Sequence, residues 1–250
     1  MDDKSKINKL ILKSAYVVII VLIIAVIALL ILKYEVEGEK NMPFKLSSII
    51  IVSNAEGYQE EQNLEYKWDV EVYQINDIYL NIEKNKNYKE TEVIKSIVID
   101  NIQVNKIPQV GKIEIYRPSS DSFQTYSYKE EYRIEGKTEF IGDTSSDIKN
   151  LRISNQGNTI MFRILNKTGK KYKSNEEEFK HDGKLLEKVG INYEEMKSEI
   201  YFDLKIILES GISFKATVKL QLPVGDILKE GSSSLEITDM KNIVFKREQT

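Results

Sequence analysis

Apolar positions fall into two regimes along this chain. From Ser14 to Leu32 they are continuous: SAYVVIIVLIIAVIALLIL holds no charge, no Pro and no Gly, and Lys13 and Lys33 bracket it. At about 1.5 Å of rise per residue, a helix of this length spans roughly 28 Å, close to the roughly 30 Å hydrocarbon core of a bilayer. The pattern predicts a transmembrane helix over 14–33, behind a short tail, 1–13. Residues 34–44, YEVEGEKNMPF, read as a charged tether with Gly38 and Pro43.

Beyond the tether the period becomes two. Leu46 to Val52 reads as a first strand, and the polar run 54–63 as a loop. Leu64, Tyr66, Trp68, Val70 and Val72 alternate with Glu65, Lys67, Asp69 and Glu71, the pattern of a strand with one wet face. Trp68, the only Trp, is expected in the core. Asn76-Asp77 interrupts the alternation, and Ile78, Leu80 and Ile82 resume it. The Lys-rich run 84–89 reads as a solvated hairpin tip. Another β stretch is expected over Val93–Ile99 and on through Ile102–Val104, with further strands over Lys112–Tyr116, Tyr126–Ile134 and Lys137–Ile141. Leu151 and Ile153 flank the turn 155–158 against Ile160 and Phe162, which predicts a hairpin pairing Ile153 with Ile160.

The strongest hairpin signal comes late. Ile200, Phe202, Leu204, Ile206 and Leu208 alternate up to Glu209-Ser210-Gly211, and Ile212, Phe214, Ala216, Val218, Leu220 and Leu222 alternate back. A two-residue loop sets Ile206 against Lys215. A three-residue loop with Gly211 in the left-handed region pairs Leu208 with Ile212, Ile206 with Phe214 and Phe202 with Val218, so the buried face selects it. One final strand is expected near Leu235–Phe245. The only helical signal lies at about 183–197: Asp182 as N-cap, Gly190 as the left-handed residue after Val189, and Asn192 with Glu195 as a capping box. The expected architecture is therefore mainly β. One N-terminal transmembrane helix precedes an antiparallel β-sandwich-like domain, 45–250, with one short helical insertion and a possible subdivision at 117–122, RPSSDS.

Charge refines the setting. The 250 residues carry a formal net charge of -3, and five Lys but only two Asp lie within the tail and span, so the remainder is more acidic still. Nucleic-acid affinity comes chiefly from neutralising phosphates, so no nucleic-acid partner is expected. Four Lys before the span against three after it favour a cytoplasmic N-terminus and an extracytoplasmic domain, as in an uncleaved signal anchor. The competing reading is a cleaved secretory signal with Val36 and Gly38 near the cleavage site, but the apolar run exceeds the usual length of such a signal. The Ile, Lys, Asn and Glu usage has a bacterial cast. The layout resembles single-span bacterial envelope proteins in general, which is an architecture and not a family.

Candidate chemistry is sparse. The chain has no Cys, which removes thiolate nucleophiles and zinc-thiolate sites. Ser146 and Lys149 with Lys167-Thr168-Gly169 imitate a penicillin-binding pair, yet no S-D-N element lies between them and the Ser does not open a helix. His181, the only His, reads as a loop residue. Asp143 to Asp147 could form a calcium turn, because hard cations take such oxygens, but acidic turns are common without metal. Tyr126, Tyr128 and Tyr132 share one face of their expected strand, and such a stripe suits partner binding. No cofactor and no metal are expected. These features favour a membrane-anchored binding or scaffolding module, with another envelope protein or the wall polymer as partner beside the lipid bilayer. The alternatives are an accessory subunit of a membrane complex and an anchored wall hydrolase or transpeptidase.

Overall fold

The computed structural model describes residues 13–30, 42–59, 65–119, 126–142, 151–177 and 184–248. The chain divides into two compact units, Met1–Asn41 and Met42–Thr250.

The first unit holds one helix, α1 (Lys13–Leu30), of 18 residues with a mean hydropathy of 2.8. Its large side chains, Tyr16 to Leu30, are 51% to 66% exposed on every face. A helix that is apolar all round has no wet side, unlike the amphipathic helix of a globular surface.

The second unit is a two-sheet sandwich. Its strands are β1 (Phe44–Tyr58), β2 (Trp68–Lys84), β3 (Ile94–Lys106), β4 (Lys112–Tyr116), β5 (Thr138–Gly142), β6 (Arg152–Ile153), β7 (Thr159–Ser174), β8 (Glu199–Leu208), β9 (Ser213–Gln221), β10 (Ser232–Ile237) and β11 (Lys246–Arg247). One sheet runs β10-β1-β2-β7-β4 and the other β11-β9-β8-β3-β5-β6. Neighbours are antiparallel except β5 and β6, which pair in parallel. The main core lies between the sheets. Ile49, Ile51, Ile78, Leu80, Phe162 and Ile164 from one meet Ile97, Ile99, Phe140, Phe202, Leu204 and Val218 from the other. Phe162 and Phe202 bridge the layers edge to face, with ring centroids 5.2 Å apart. Each fully buried Ile, Leu or Phe contributes about 1.5–3 kcal/mol over an exposed one, which makes this layer the main source of stability.

Several expected elements form as read. β4 spans the expected residues. The β8–β9 hairpin pairs Ile206 with Phe214 and Phe202 with Val218, and Gly211 has a φ of 84°. The helical insertion is two single turns, α2 (Leu185–Lys188) and α3 (Tyr193–Met196). Gly190 (φ 74°) lets its own N–H reach the Glu187 carbonyl at 2.9 Å and the Ile191 N–H reach that of Leu186 at 3.1 Å. Asn192 and Glu195 close both arms of the capping box, at 3.2 and 2.9 Å. Asp182 lies outside the described residues.

Other expectations are corrected. The loop expected over 54–63 begins as strand, since β1 continues to Tyr58 against Glu71. Asn76-Asp77 does not break β2: both pair on both sides, with Ser53 and Val52 across one edge and Ile164 and Arg163 across the other. β2 is a central strand covered on both faces from Val72 to Ile78, so its polar residues are buried rather than terminal. The β stretch expected over Val93–Ile99 and Ile102–Val104 forms as one strand, β3, with an irregularity at Asn101, whose φ is 52°. The Lys-rich run 84–89 tips no hairpin. It carries the chain from one sheet to the other and is fixed to the start of β1 by Asn85, whose N–H donates to the Pro43 carbonyl at 2.7 Å. Ile153 and Ile160 do not pair, because β6 joins one sheet and β7 the other; both remain buried in the same core, so the apolar pattern is kept by a corner instead of a hairpin. The last strand splits: β10 flanks β1, β11 flanks β9, and a turn closed by the Ile243 N–H on the Met240 carbonyl lies between. A helix not expected from the sequence, α4 (Gly225–Glu230), precedes β10. Trp68 is half-buried, not core, and its indole N–H donates to the Glu176 carbonyl at 3.1 Å.

Candidate binding surface

The outer face of the five-stranded sheet is not bare. Tyr73 and Ile75 of β2, Tyr116 of β4 and Leu165 of β7 form a buried cluster there, and Tyr126, Tyr128 and Tyr132 pack onto it. Those three tyrosines were expected on one strand. Residues 126–134 instead form an extended segment and one 3-10 turn, Glu130–Tyr132, laid across the sheet. The segment is stitched to the edge of β4 by two backbone bonds, Arg117 N–H to the Tyr132 carbonyl at 2.9 Å and Ile134 N–H to the Ile115 carbonyl at 2.8 Å, which together make an isolated antiparallel bridge between Tyr116 and Arg133. The structure therefore brings Tyr126, Tyr128 and Tyr132 together, but by covering a sheet and not by lining one face of a strand.

Arg163 of β7 organises this layer. Its Nε and Nη2 donate to the two carboxylate oxygens of Asp77, each at 2.7 Å, in the bidentate fork that suits a planar guanidinium. Its Nη1 donates to the Tyr128 hydroxyl at 2.9 Å, and its guanidinium lies 4.1 Å from the centre of the Tyr126 ring. Burial would lower the Arg163 pKa, but the hydrogen bonds and charge of Asp77 outweigh it and push it up, so the guanidinium stays charged. A second cluster lies one row away. The Tyr116 hydroxyl donates to Glu114 at 2.7 Å, and Lys167 and Lys112 reach the same carboxylate at 2.8 and 3.4 Å. Burial would raise Glu114, yet the hydrogen bonds from Lys167 and Tyr116 hold it at about 2.

The tyrosines are hydrogen-bond donors and packing surfaces here, not acid–base groups. Burial pushes the hydroxyls of Tyr116, Tyr126 and Tyr128 well above their ordinary value, so all three stay protonated at neutral pH. Their rings are spent on one another. Tyr58 stacks on Tyr73 at 5.6 Å, Tyr128 meets Tyr58 edge-on at 5.8 Å and Tyr73 at 6.4 Å, and Tyr116 meets Tyr128 at 5.3 Å. These separations are those of rings in contact, which leaves no slot between them for a ligand. The open part is Tyr58, 45% exposed at the end of the ladder, with the carboxylate of Glu71 accepting from the Tyr73 hydroxyl at 3.3 Å nearby.

Sequence reasoning reached the three tyrosines but missed Tyr58, Tyr73, Tyr116, Asp77, Glu114 and Arg163. One signal was available: Arg163 is the only charge in TIMFRILN, and Asp77 the only charge between Glu71 and Glu83. A lone charge in a strand buried on both faces requires a counter-charge on a neighbouring strand. Of the remaining candidates, Ser146, Lys149, Asp143 to Asp147 and His181 lie outside the described residues. Lys167 is engaged by Glu114, and the Thr168 hydroxyl donates to the Val72 carbonyl within the sheet. Among the described residues, no group of three or more His, Cys, Asp or Glu is placed to hold a metal ion. In comparisons with protein-family models, curated proteins and solved structures, the chain matches none.

Proposed function

We propose that this chain is a single-pass membrane protein whose N-terminal helix anchors an extracytoplasmic β sandwich that binds or scaffolds a partner at the cell envelope. The observation that carries the reading is α1, apolar and exposed on every face from Ala15 to Leu30, together with a second unit whose core is filled by its own side chains. Transfer of such a helix into hydrocarbon is strongly favourable, and water offers it no compensating partner. Lys13 marks one end of the apolar run, and the Lys excess of the tail supports the cytoplasmic placement of that end.

The partner surface is the outward side of the tyrosine layer on the five-stranded sheet, met at exposed Tyr58 and at the partly exposed Tyr128 and Tyr132. Another envelope protein or the wall polymer fits an aromatic surface with a polar rim. Two experiments test the two halves. A reporter enzyme active only outside the cytoplasm, fused after Thr250, is expected to be active, and activity only of a cytoplasmic reporter overturns the topology. Capture of a partner by the full-length protein in mild detergent is expected to weaken at least tenfold with Tyr58→Ala, and an unchanged capture removes this surface from the proposal.

A further inference from the structure

The interior of the sandwich unit is divided by a polar layer. Ser53 of β1, Gln74 and Asn76 of β2, and Asn166 of β7 are 0%, 1%, 1% and 1% exposed. Register places all four on the inner side of their sheet. Ser53 lies opposite Asn76, and Asn76 opposite Ile164; Ala55 lies opposite Gln74, and Gln74 opposite Asn166. On one side of the layer begins the main core, with Ile51, Ile78 and Ile164. On the other, Ala55 and Val72 pack with Leu186, Met196 and Ile227 of the helical cap in a separate apolar cluster. The two apolar clusters do not merge, and the buried amides occupy the boundary.

The hydrogen-bond accounts of these amides are incomplete in a matched way. The Ser53 hydroxyl donates to Asn76 Oδ1 at 2.6 Å, and Asn166 Nδ2 donates to the Val110 carbonyl at 3.1 Å. Gln74 Nε2, Asn76 Nδ2 and Asn166 Oδ1 are buried and have no protein partner. That leaves two donors and one acceptor on adjacent positions of one face. Cross-strand neighbours such as Gln74 and Asn166 have Cβ atoms about 4.5–5.5 Å apart, and Asn76 is the next residue of β2 on that side. Gly111 seals the β4 edge of the layer, since a Cβ there would stand 2.1 Å from Asn166 Oδ1.

We propose that this layer is a binding site for one internal water molecule, which accepts from Gln74 Nε2 and Asn76 Nδ2 and donates to Asn166 Oδ1. Buried polar atoms are almost always partnered, and three unpartnered polar atoms on adjacent register positions of one sheet face match in number the usual coordination of an internal water. A direct bond between Gln74 and Asn166 would satisfy two of the three atoms and strand Asn76. Turning the Asn76 amide over exchanges a donor for an acceptor, and a water, with two of each, serves either arrangement. The bridge ties β2 to β7 where the main core gives way to the helical cap, so it sets the register between the two clusters.

The test is a crystal structure of the full-length protein at a resolution that shows ordered water. Density for one molecule within 2.7–3.2 Å of all three atoms is expected. Amides bonded to one another with no such density overturn the proposal, as does a layer in which any of the three atoms is met only by protein. Asn166→Leu is expected to abolish that density and lower the melting midpoint by about 2–6 °C. If that variant does not fold, the wild-type side-chain amides of Gln74 and Asn76 still decide the question: magnetisation transfer from a long-lived bound water supports it, and its absence refutes it.

Discussion

Glu114 and Arg163 show how single residues carry the outer layer. Glu114 sits at about 2 in the folded protein against an ordinary 4.5, held by Lys167 and Tyr116. A depressed carboxylate stabilises the fold above its unfolded value and loses that stabilisation as the carboxylate protonates. The contribution is complete above about pH 4.5 and drains away as pH falls towards about 2, worth at most about 3 kcal/mol and less where Lys167 is wetted. Glu114→Gln is expected to flatten the acid limb of urea stability in that window and to leave the neutral-to-alkaline limb parallel to wild type. Arg163→Met makes a sharper demand. It strands Asp77, whose side chain is 10% exposed, and removes the cation under the Tyr126 ring. A loss of about 2–4 kcal/mol is expected from denaturant midpoints, with Arg163→Met and Asp77→Leu together costing less than the sum of the two. At this scale the sequence was half legible: Tyr126, Tyr128 and Tyr132 could be grouped by spacing, whereas their anchor at Arg163 comes from a strand that only the fold brings beside them.

At the scale of elements, legibility tracked how local the deciding contacts are. The β8–β9 register follows from one buried face and one three-residue loop, so its residues alone determine it. The α2 and α3 turns are written in their caps, within about ten residues of chain. The corner between β6 and β7 is different. Ile153 and Ile160 have the spacing of a hairpin, but whether the second strand folds back or crosses to the other sheet depends on the distant β2 and β5. The segment 126–134 has a strand's alternation, yet β4 offers it only a short edge and the sheet face offers its tyrosines Arg163. α4 is hidden in the sequence because Pro223 and Gly225 carry the usual marks of a strand end, and its burial rests on Ile227 meeting α2. The caps also give the prediction at this scale. Gly190→Ala forces a Cβ into the left-handed region that the α2 terminus requires, and is expected to cost about 1–2 kcal/mol. A melting midpoint lowered by roughly 2–8 °C checks it; an unchanged midpoint shows that the cap frays independently of the sandwich.

For the whole molecule, the two units make different demands on solvent. The main core is supplied entirely from residues 42–245, none of them from α1. A protein comprising 42–250 is therefore expected to be soluble without detergent, with the β-type circular dichroism of the full chain after subtraction of one helix. Sedimentation as a monomer checks it, and aggregation would show that α1 completes the fold. Sheet order adds a condition on the way the molecule is made. β1, the first strand, is flanked by β2 and by β10, and Ile51 faces Leu235 from nearly the other end of the domain. At about 5–20 residues per second, the ribosome finishes β10 roughly 10–40 s after β1. Through that interval one edge of β1 stands open at Ile49-Ile50-Ile51-Val52, an uncharged β-branched run of the kind that pairs with foreign strands. The newborn chain thus passes through a sticky stage that ends only when its own C-terminal region arrives, and anything that stalls synthesis before Ser232 turns a folding intermediate into a seed for aggregation.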